Sequence, residues 1–189
     1  MRLVFFGGVH GVGKTSLLEK ISSVSDEKPF VVDLGELFWE HVYRMGDKTS
    51  DEVEELAMDE IEMACRAHSI VICNWHYAVW TPEGYIPQIA LSRLASLVDR
   101  IRPECARLVL VKAPARVVFK RRTRDRAIKK RKISLACIEE EMAQTEHFYR
   151  LHHDVLSPQV KTLSSVFDNT GPINGAAIKR LGKILHETS

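Results

Sequence analysis

Residues 7 to 16 read GGVHGVGKTS, and the spacing G-x-x-x-x-G-K-T runs from Gly8 to Thr15. Glycines at this spacing let backbone N–H groups close around phosphate oxygens, and the helix that follows adds the positive end of its dipole. The motif therefore predicts a phosphate-binding loop in which Lys14 reaches the β- and γ-phosphates and the Thr15 hydroxyl ligates Mg²⁺. A glycine-rich turn without chemistry is the alternative, but the motif is complete. The nucleotide-binding residues expected here are Gly8, Gly11, Val12, Gly13, Lys14, Thr15 and Ser16.

A second chemical feature is the segment 116–132, RVVFKRRTRDRAIKKRK, which carries ten basic residues in seventeen. Phosphoryl transfer spreads negative charge over the moving group, and guanidiniums that reach it stabilise the transition state. The segment therefore indicates an arginine-rich lid over about residues 121–133. A solvated basic helix or a nucleic-acid-binding patch remains the alternative interpretation.

Other classes of phosphate-binding-loop protein are disfavoured by motifs that the sequence does not contain. A GTPase reads guanine with N-K-x-D, and a transporter-type ATPase carries L-S-G-G, and neither occurs. A hexameric motor needs a longer chain. A small-molecule kinase fits the sequence best.

Short apolar runs alternate with longer helical patterns along the chain, which predicts an α/β fold with a parallel sheet and ligands at the carboxyl ends of its strands. Asp51, with Glu54 three residues later, predicts a helix N-cap, Pro114 a first-turn proline, and Gly171-Pro172 a helix-entry turn. Strands are predicted at 3–6, 30–32, 70–73, 108–111 and 163–167. Helices are predicted at 14–24, 35–45, 51–68, 88–101, 114–123, 134–156 and 173–187.

Length and composition limit the number of domains, the partners and the location to be expected. A chain of 189 residues with a net charge of +2 predicts one domain without a general attraction to nucleic acid or anionic membranes. The four cysteines form no C-x-x-C pair, which favours reduced thiols. No apolar stretch approaches the roughly 20 residues needed to cross a bilayer. We therefore expect a cytoplasmic protein without a membrane partner.

At this point the chain resembles the archaeal-type adenylate kinases, within the nucleoside monophosphate kinases. The resemblance runs almost end to end, through GGVHGVGKTS, VVDLGELF, VICNWH, TPEGYIP, KRRTRDR and VFDNTG. It implies a five-stranded parallel sheet flanked by helices, a helical acceptor-binding region over about residues 34–68, and an arginine-rich lid. It also implies transfer of the γ-phosphoryl group of MgATP to AMP or another nucleoside monophosphate.

The resemblance also implies roles for individual residues. Arg121 resembles the residue near the ATP base, while Arg124 and Arg131 resemble phosphate contacts, with Asp125 orienting one of them. These three arginines join Lys14 as the catalytic candidates. Beyond the lid, Asn169 and Gly171 correspond to the loop that contacts the ATP adenine, and Gly35, Arg44 and Gln88 are the candidates for acceptor binding.

Three departures from the family pattern bear on the acceptor. The usual Asp-Thr-His after the third strand is Asn74-Trp75-His76, so Asn74 is expected to hold Mg²⁺ only through water. Two expected AMP-phosphate arginines align near Glu54 and Glu146. AMP remains the favoured acceptor. The alternatives are a kinase of another small acceptor, a nucleic-acid-associated ATPase, and a nucleotide-binding module without turnover.

Overall fold

The computed structural model of the protein describes residues 1–24, 28–125 and 134–186. The strands are β1 Arg2–Gly7, β2 Phe30–Asp33, β3 Ile70–Trp75, β4 Val79–Thr81, β5 Gly84–Ile86, β6 Cys105–Lys112 and β7 Thr162–Asp168. The helices are α1 Lys14–Val24, α2 Leu34–Phe38, a π-helical segment Trp39–Met45, α3 Ser50–Ala67, α4 Leu91–Ile101, α5 Ala115–Arg124, α6 Leu135–Leu156 and α7 Gly175–His186.

Five strands form one sheet in the order β2-β3-β1-β6-β7, and every neighbouring pair is parallel. The predicted five-stranded parallel sheet flanked by helices is thus confirmed. Gly7 at the end of β1 is in register with Trp75 on one side and Leu110 on the other. Asp33 pairs with Asn74 at the ends of β2 and β3. The carboxyl ends of the strands therefore meet at one edge, where the predicted phosphate-binding loop begins.

The two faces of the sheet pack into separate cores because successive side chains of a strand point to opposite faces. Leu3 and Phe5 of β1 belong to one core, and Val4 and Phe6 belong to the other. The first core lies under α3 and α4 and the second under α1, α5 and α7. Helix α6 contributes to both, since its first half enters the second core and its second half the first.

A β-hairpin follows β3 in a segment where no strand was predicted. Strands β4 and β5 pair antiparallel and form their own two-stranded sheet. The turn is closed by the Thr81 hydroxyl, which donates to Gly84 O at 2.9 Å. Each strand has three residues, which is too short to display an alternating pattern in the sequence. The predicted helix at 88–101 accordingly begins only at Leu91.

The signals predicted at Asp51 and Pro114 for the start of a helix are wrong in detail. Helix α3 is capped by Thr49 instead of Asp51, since the Thr49 side chain accepts from Glu52 N and the Glu52 carboxylate accepts from Thr49 N. This reciprocal capping box satisfies two backbone donors, and Asp51 offers no such reciprocity. Pro114 is the N-cap of α5 and precedes its first turn.

The predicted helix at 35–45 is α2 continued by the π-helical segment, which ends at Gly46 in a left-handed conformation.

The four cysteines form no disulfide in the structure, and Cys65, Cys73 and Cys105 are buried. Across the described parts of the chain, none of the helices combines the length and the apolar character that crossing a membrane requires.

Candidate active site

The segment from Gly8 to Thr15, here called the phosphate-binding loop, connects the end of β1 to the start of α1. Gly13 has a φ of +98°, which L side chains rarely adopt. A Cβ at this position would lie 2.6 Å from Asn169 Nδ2, so the loop packs closely against the segment after β7. A strand, a glycine-rich turn and a helix N-terminus in this order form the arrangement that binds phosphate with backbone N–H groups.

Lys14 is the first residue of α1, and its side chain is buried. Its ammonium group donates to Gly8 O at 2.8 Å and lies 3.4 Å from both Val9 O and His76 Nδ1. The cation is therefore folded back over the loop towards the end of β3. The next two side chains, Thr15 and Ser16, are exposed in the first turn of the helix, where the Thr15 hydroxyl remains accessible to a metal ion.

His76 lies directly after β3 and is buried. Its Nδ1 is 2.9 Å from Gly8 O. Because a carbonyl oxygen can only accept, we assign the ring proton to Nδ1. The other nitrogen, Nε2, faces Gly35, where it would lie 4.0 Å from a Cβ. The ring packs on His10 with centroids 3.8 Å apart, so His76 links the phosphate-binding loop to the start of α2.

Asp33 and Asn74 form a hydrogen-bonded pair that sequence reasoning did not identify. Asn74 Nδ2 donates to Asp33 Oδ2 at 2.6 Å, while Asp33 Oδ1 accepts from Glu36 N at 3.0 Å and caps α2. Asn74 is buried, and its Oδ1 has no hydrogen-bond partner among the described residues. One signal for Asp33 was available: a carboxylate that ends a strand and precedes a helix by one residue has the position of an N-cap.

Arg121 and Asn169, which were predicted separately as nucleotide-binding residues, lie together against the loop. Arg121 NH1 and Asn169 Nδ2 both donate to Val12 O, at 2.8 and 2.7 Å. Arg121 NH2 also donates to Asn169 O at 2.8 Å. Burial lowers the pKa of Arg121 below its ordinary value, and the nearby Arg124 cation is a smaller cause. The end of α5 and the segment after β7 are thereby joined to the phosphate-binding loop.

Arg122, the residue after Arg121, was not predicted as part of the site. Its guanidinium is buried and donates to His10 O and to Glu141 Oε2. One signal could have identified it: Arg122 lies four residues after Val118, and four-residue spacing puts both on the buried face of α5.

The other predicted lid residues are less closely associated with the loop. Arg124 has 80% of its side chain exposed, and its Nε is 3.8 Å from Asp125 Oδ1. Arg131 and most of the predicted lid lie outside the described residues. Gly171, two residues beyond Asn169, is exposed.

The predicted acceptor-binding residues do not form one group. Gly35 lies between Asp33 and His76, since a Cβ there would be 3.2 Å from Asp33 Oδ1. Gln88 is buried, and its Oε1 accepts from His76 N at 2.6 Å, so it supports His76. Arg44 lies on the π-helical segment with 61% of its side chain exposed and forms an ion pair with Glu40.

The two glutamates that align with expected AMP-phosphate arginines have structural partners. Glu54 Oε2 accepts from Ala90 N at 3.2 Å, at the N-terminus of α4, and burial raises the pKa of Glu54. Glu146 Oε1 lies 2.6 Å from Lys112 Nζ. Each glutamate is thus held by a group on a neighbouring element, and its alignment with an acceptor-phosphate position stays a prediction.

Metal binding through a cluster of protein ligands is not indicated. The described residues contain no group of three or more His, Cys, Asp or Glu side chains that could hold an ion. Oxygen donors suited to Mg²⁺ are nevertheless available from the Thr15 hydroxyl and from the buried Oδ1 of Asn74. A hydroxyl and an amide oxygen without a carboxylate suit an ion that keeps most of its waters.

Comparison with known proteins agrees with this architecture. Residues 7–139 match the family described as an AAA domain. A sugar kinase from Janibacter sp. has a similar structure, with a TM-score of 0.52, 17% identity and coverage of 98% of this chain and 94% of that one. Shikimate kinase from Aquifex aeolicus gives a TM-score of 0.56, 15% identity and coverage of 98% and 96%. Among curated proteins, none matches this chain. At these identities the structural similarity concerns the fold alone.

Proposed function

The chain belongs to the AAA domain family, and from this premise we propose that it is a phosphotransferase that moves the γ-phosphoryl group of MgATP to a hydroxyl group of a small acceptor. One observation carries the proposal. Lys14, Asp33, Asn74 and His76 meet at the carboxyl ends of the adjacent strands β2, β3 and β1. Small ligands of open α/β sheets bind at this edge.

The donor half of the proposed site is the phosphate-binding loop. When bound, MgATP would supply the transferable phosphoryl group and a divalent cation that offsets the negative charge of the phosphates. Lys14 provides a positive charge beside the transferring group, and the N-terminus of α1 provides backbone donors. Thr15 would hold Mg²⁺ directly and Asn74 through water. Arg121, Asn169 and Gly171 would form the side of the site nearest the nucleotide base.

The acceptor half is formed by Asp33, Asn74 and His76. The Asp33 carboxylate is fixed by its bonds to Glu36 N and Asn74 Nδ2, and it retains lone pairs that can receive a proton. We propose that Asp33 accepts the proton of the acceptor hydroxyl while the hydroxyl oxygen bonds to the γ-phosphorus. The bond from that phosphorus to the β–γ bridging oxygen breaks, and ADP leaves. The buried Oδ1 of Asn74 would accept a hydrogen bond from the acceptor or from a metal-bound water.

AMP, the acceptor implied by the sequence resemblance, is the second candidate. Its phosphate requires cations that are not already neutralised, and three arginines of the acceptor side lie beside carboxylates. Arg44 pairs with Glu40, Arg66 with Glu62, and Arg93 with Glu54. These pairs favour an acceptor that presents a hydroxyl and brings no phosphate group into this region.

The nucleic-acid-associated ATPase is less well supported, because two arginines of the basic segment point into the protein. Arg121 and Arg122 donate to backbone oxygens of the phosphate-binding loop, whereas a phosphate-backbone contact requires an outward guanidinium. Arg116, Lys120 and Arg124 are the exposed basic residues of the segment in the described part of the chain.

The proposal is tested by measuring ADP release from MgATP in the presence of single acceptors. The panel contains AMP and other nucleoside monophosphates, sugars, polyols, hydroxy acids, and single-stranded RNA, with Lys14→Ala as the inactive control. ADP release that requires a phosphate-free hydroxyl compound supports the proposal. AMP-dependent release supports the second candidate. Release stimulated by RNA alone, or tight ATP binding without any release, would overturn the proposed transfer.

A further inference from the structure

Arg122 of α5 and Glu141 of α6 form an ion pair buried against the phosphate-binding loop. Arg122 NH2 lies 2.7 Å from Glu141 Oε2, and the two side chains are 4% and 16% exposed. Removing two charges from water is costly unless they are paired and hydrogen-bonded, so such a pair requires further partners. These partners are supplied by one residue of the loop, His10.

Both backbone polar groups of His10 are held by the pair. Arg122 Nε and NH2 donate to His10 O at 2.9 and 2.8 Å. Glu141 Oε1 accepts from His10 N at 3.1 Å. The carboxylate thus bonds the arginine through one oxygen and the loop through the other. These charge-assisted hydrogen bonds fix the orientation of the backbone N–H and C=O groups of His10.

The stem of Arg122 also packs on the next residue of the loop. A Cβ at Gly11 would lie 3.0 Å from Arg122 Cγ, and Gly11 has a φ of +74°. A glycine-rich loop loses more backbone entropy on ordering than other sequences do. Groups that order the loop before its ligand arrives therefore lower the cost of binding.

We propose that Arg122 and Glu141 are positioning residues that preorganise the phosphate-binding loop for nucleotide. The guanidinium is buried, and its Nε and NH2 groups are directed at His10 O and Glu141, so the pair acts through the backbone of the loop. The consequence for catalysis rests on the function proposed above. The ordering of the loop does not, and it can be measured on the protein without nucleotide.

The test compares Arg122→Gln, Glu141→Gln and Arg122→Lys with Arg66→Gln, which removes an exposed arginine of the Arg66–Glu62 pair on α3. The first measurement is amide hydrogen exchange across residues 8–15 in nucleotide-free protein. We expect about tenfold faster exchange in Arg122→Gln and no change in Arg66→Gln. Arg122→Lys should recover part of the protection, because lysine keeps the charge but cannot donate twice to His10 O in the same planar geometry.

The second measurement is ATP affinity by calorimetry, which should fall about tenfold in Arg122→Gln. If Arg122→Gln lost ATP affinity without a change in amide exchange, Arg122 would be a direct ligand of ATP and the inference would be overturned. Unchanged exchange and unchanged affinity would also overturn it. Should Arg122→Gln fail to fold, Glu141→Gln decides, because it removes the charge but keeps an acceptor for His10 N. Wild-type protein that shows the ordered loop but does not bind ATP would refute the proposed function and leave the ordering of the loop established.

Discussion

Asn74 Nδ2 lies 2.6 Å from Asp33 Oδ2, and the two residues occupy paired positions at the ends of β3 and β2. Only 4% of Asn74 is exposed, and its Oδ1 has no partner among the described residues. An unsatisfied buried oxygen costs about 1–3 kcal/mol. A ligand that donates a hydrogen bond to this oxygen would recover that energy. The pair therefore combines a fixed carboxylate with a site that favours a hydroxyl or a water molecule.

Replacing Asp33 by Asn tests the role of the carboxylate. The change keeps the size of the side chain and removes the base, so we expect kcat to fall on the order of a hundredfold or more while the KM for ATP changes little. Steady-state ADP release with the preferred acceptor measures both constants. Asp59→Asn, on the exposed face of α3, is the matched control. Wild-type kcat in Asp33→Asn would contradict the role in proton transfer.

Replacing Lys14 by Ala removes the cation nearest to the proposed transferring group. Activity should fall on the order of a hundredfold, which corresponds to roughly 3 kcal/mol of transition-state stabilisation. Lys20→Ala changes an exposed lysine of the same helix and should leave turnover unchanged. If Lys14→Ala retained normal turnover in the same assay, the assignment of the phosphate-binding loop to the donor would be wrong.

Glu54 provides a test that separates structural and acceptor-binding roles. Glu54→Arg should not improve AMP-dependent ADP formation, and it should destabilise the protein by on the order of 2 kcal/mol, because it removes the acceptor of Ala90 N and places a second cation beside Arg93. Thermal unfolding and an AMP titration measure the two effects. A Glu54→Arg protein of normal stability with tighter AMP binding would restore Glu54 to the acceptor site.

The raised pKa of Glu54 sets the direction of a pH effect. Burial favours the protonated form in the folded state, so the ionised carboxylate reduces stability near neutral pH. Glu54→Gln keeps an acceptor for Ala90 N and should therefore be at least as stable as the wild type at pH 7. Its advantage should shrink as the pH falls and Glu54 becomes protonated. If the stability advantage of Glu54→Gln grew as the pH fell, the raised pKa of Glu54 would be contradicted.

His152 predicts a loss of stability in acid. Burial lowers its pKa from 6.5 to about 4, and its Nδ1 lies 2.5 Å from Phe148 O. The unfolded chain binds a proton below pH 6.5 that the folded protein does not, so stability should fall from pH 6.5 to pH 4 by up to roughly 3 kcal/mol. Denaturant unfolding across this range should show a smaller fall in His152→Phe. The neighbouring, more exposed His153 offers the control His153→Gln, and equal pH dependence in both variants would contradict the assignment.

The sheet could be predicted because its strands appear as short β-branched or aromatic runs between helical patterns. The signal is clearest for β1, β3 and β6, which are buried on both faces. Their observed limits differ from the predicted ones by at most three residues, as at β6, which begins at Cys105 where residue 108 was predicted. The hairpin of β4 and β5 could not be predicted. It lies apart from the main sheet, and its three-residue strands contain mixed side chains that carry no periodic signal.

The site was only partly predictable for a different reason. Lys14 belongs to a local motif whose spacing carries the chemistry, and so it was identified directly. Asp33 and Asn74 are 41 residues apart and meet through strand register, which no local pattern encodes. Arg122 lies within the basic segment 116–132. The sequence of this segment indicates its positive charge but not which guanidinium is buried. The partner of Arg122, Glu141, is 19 residues further along, on another helix.

Helix α6 joins two layers of the protein, which are the two cores on opposite faces of the sheet. Ile138 near its start is buried in one core, and Leu156 at its end is buried in the other. Opening either layer therefore requires this helix to leave its place in both, so the layers cannot unfold as independent units. Native-state hydrogen exchange should accordingly give one common opening free energy for the amides in the middle of α6 and for those of β1, the central strand. A helix that connects two strands in the chain is thus also the element that makes unfolding cooperative.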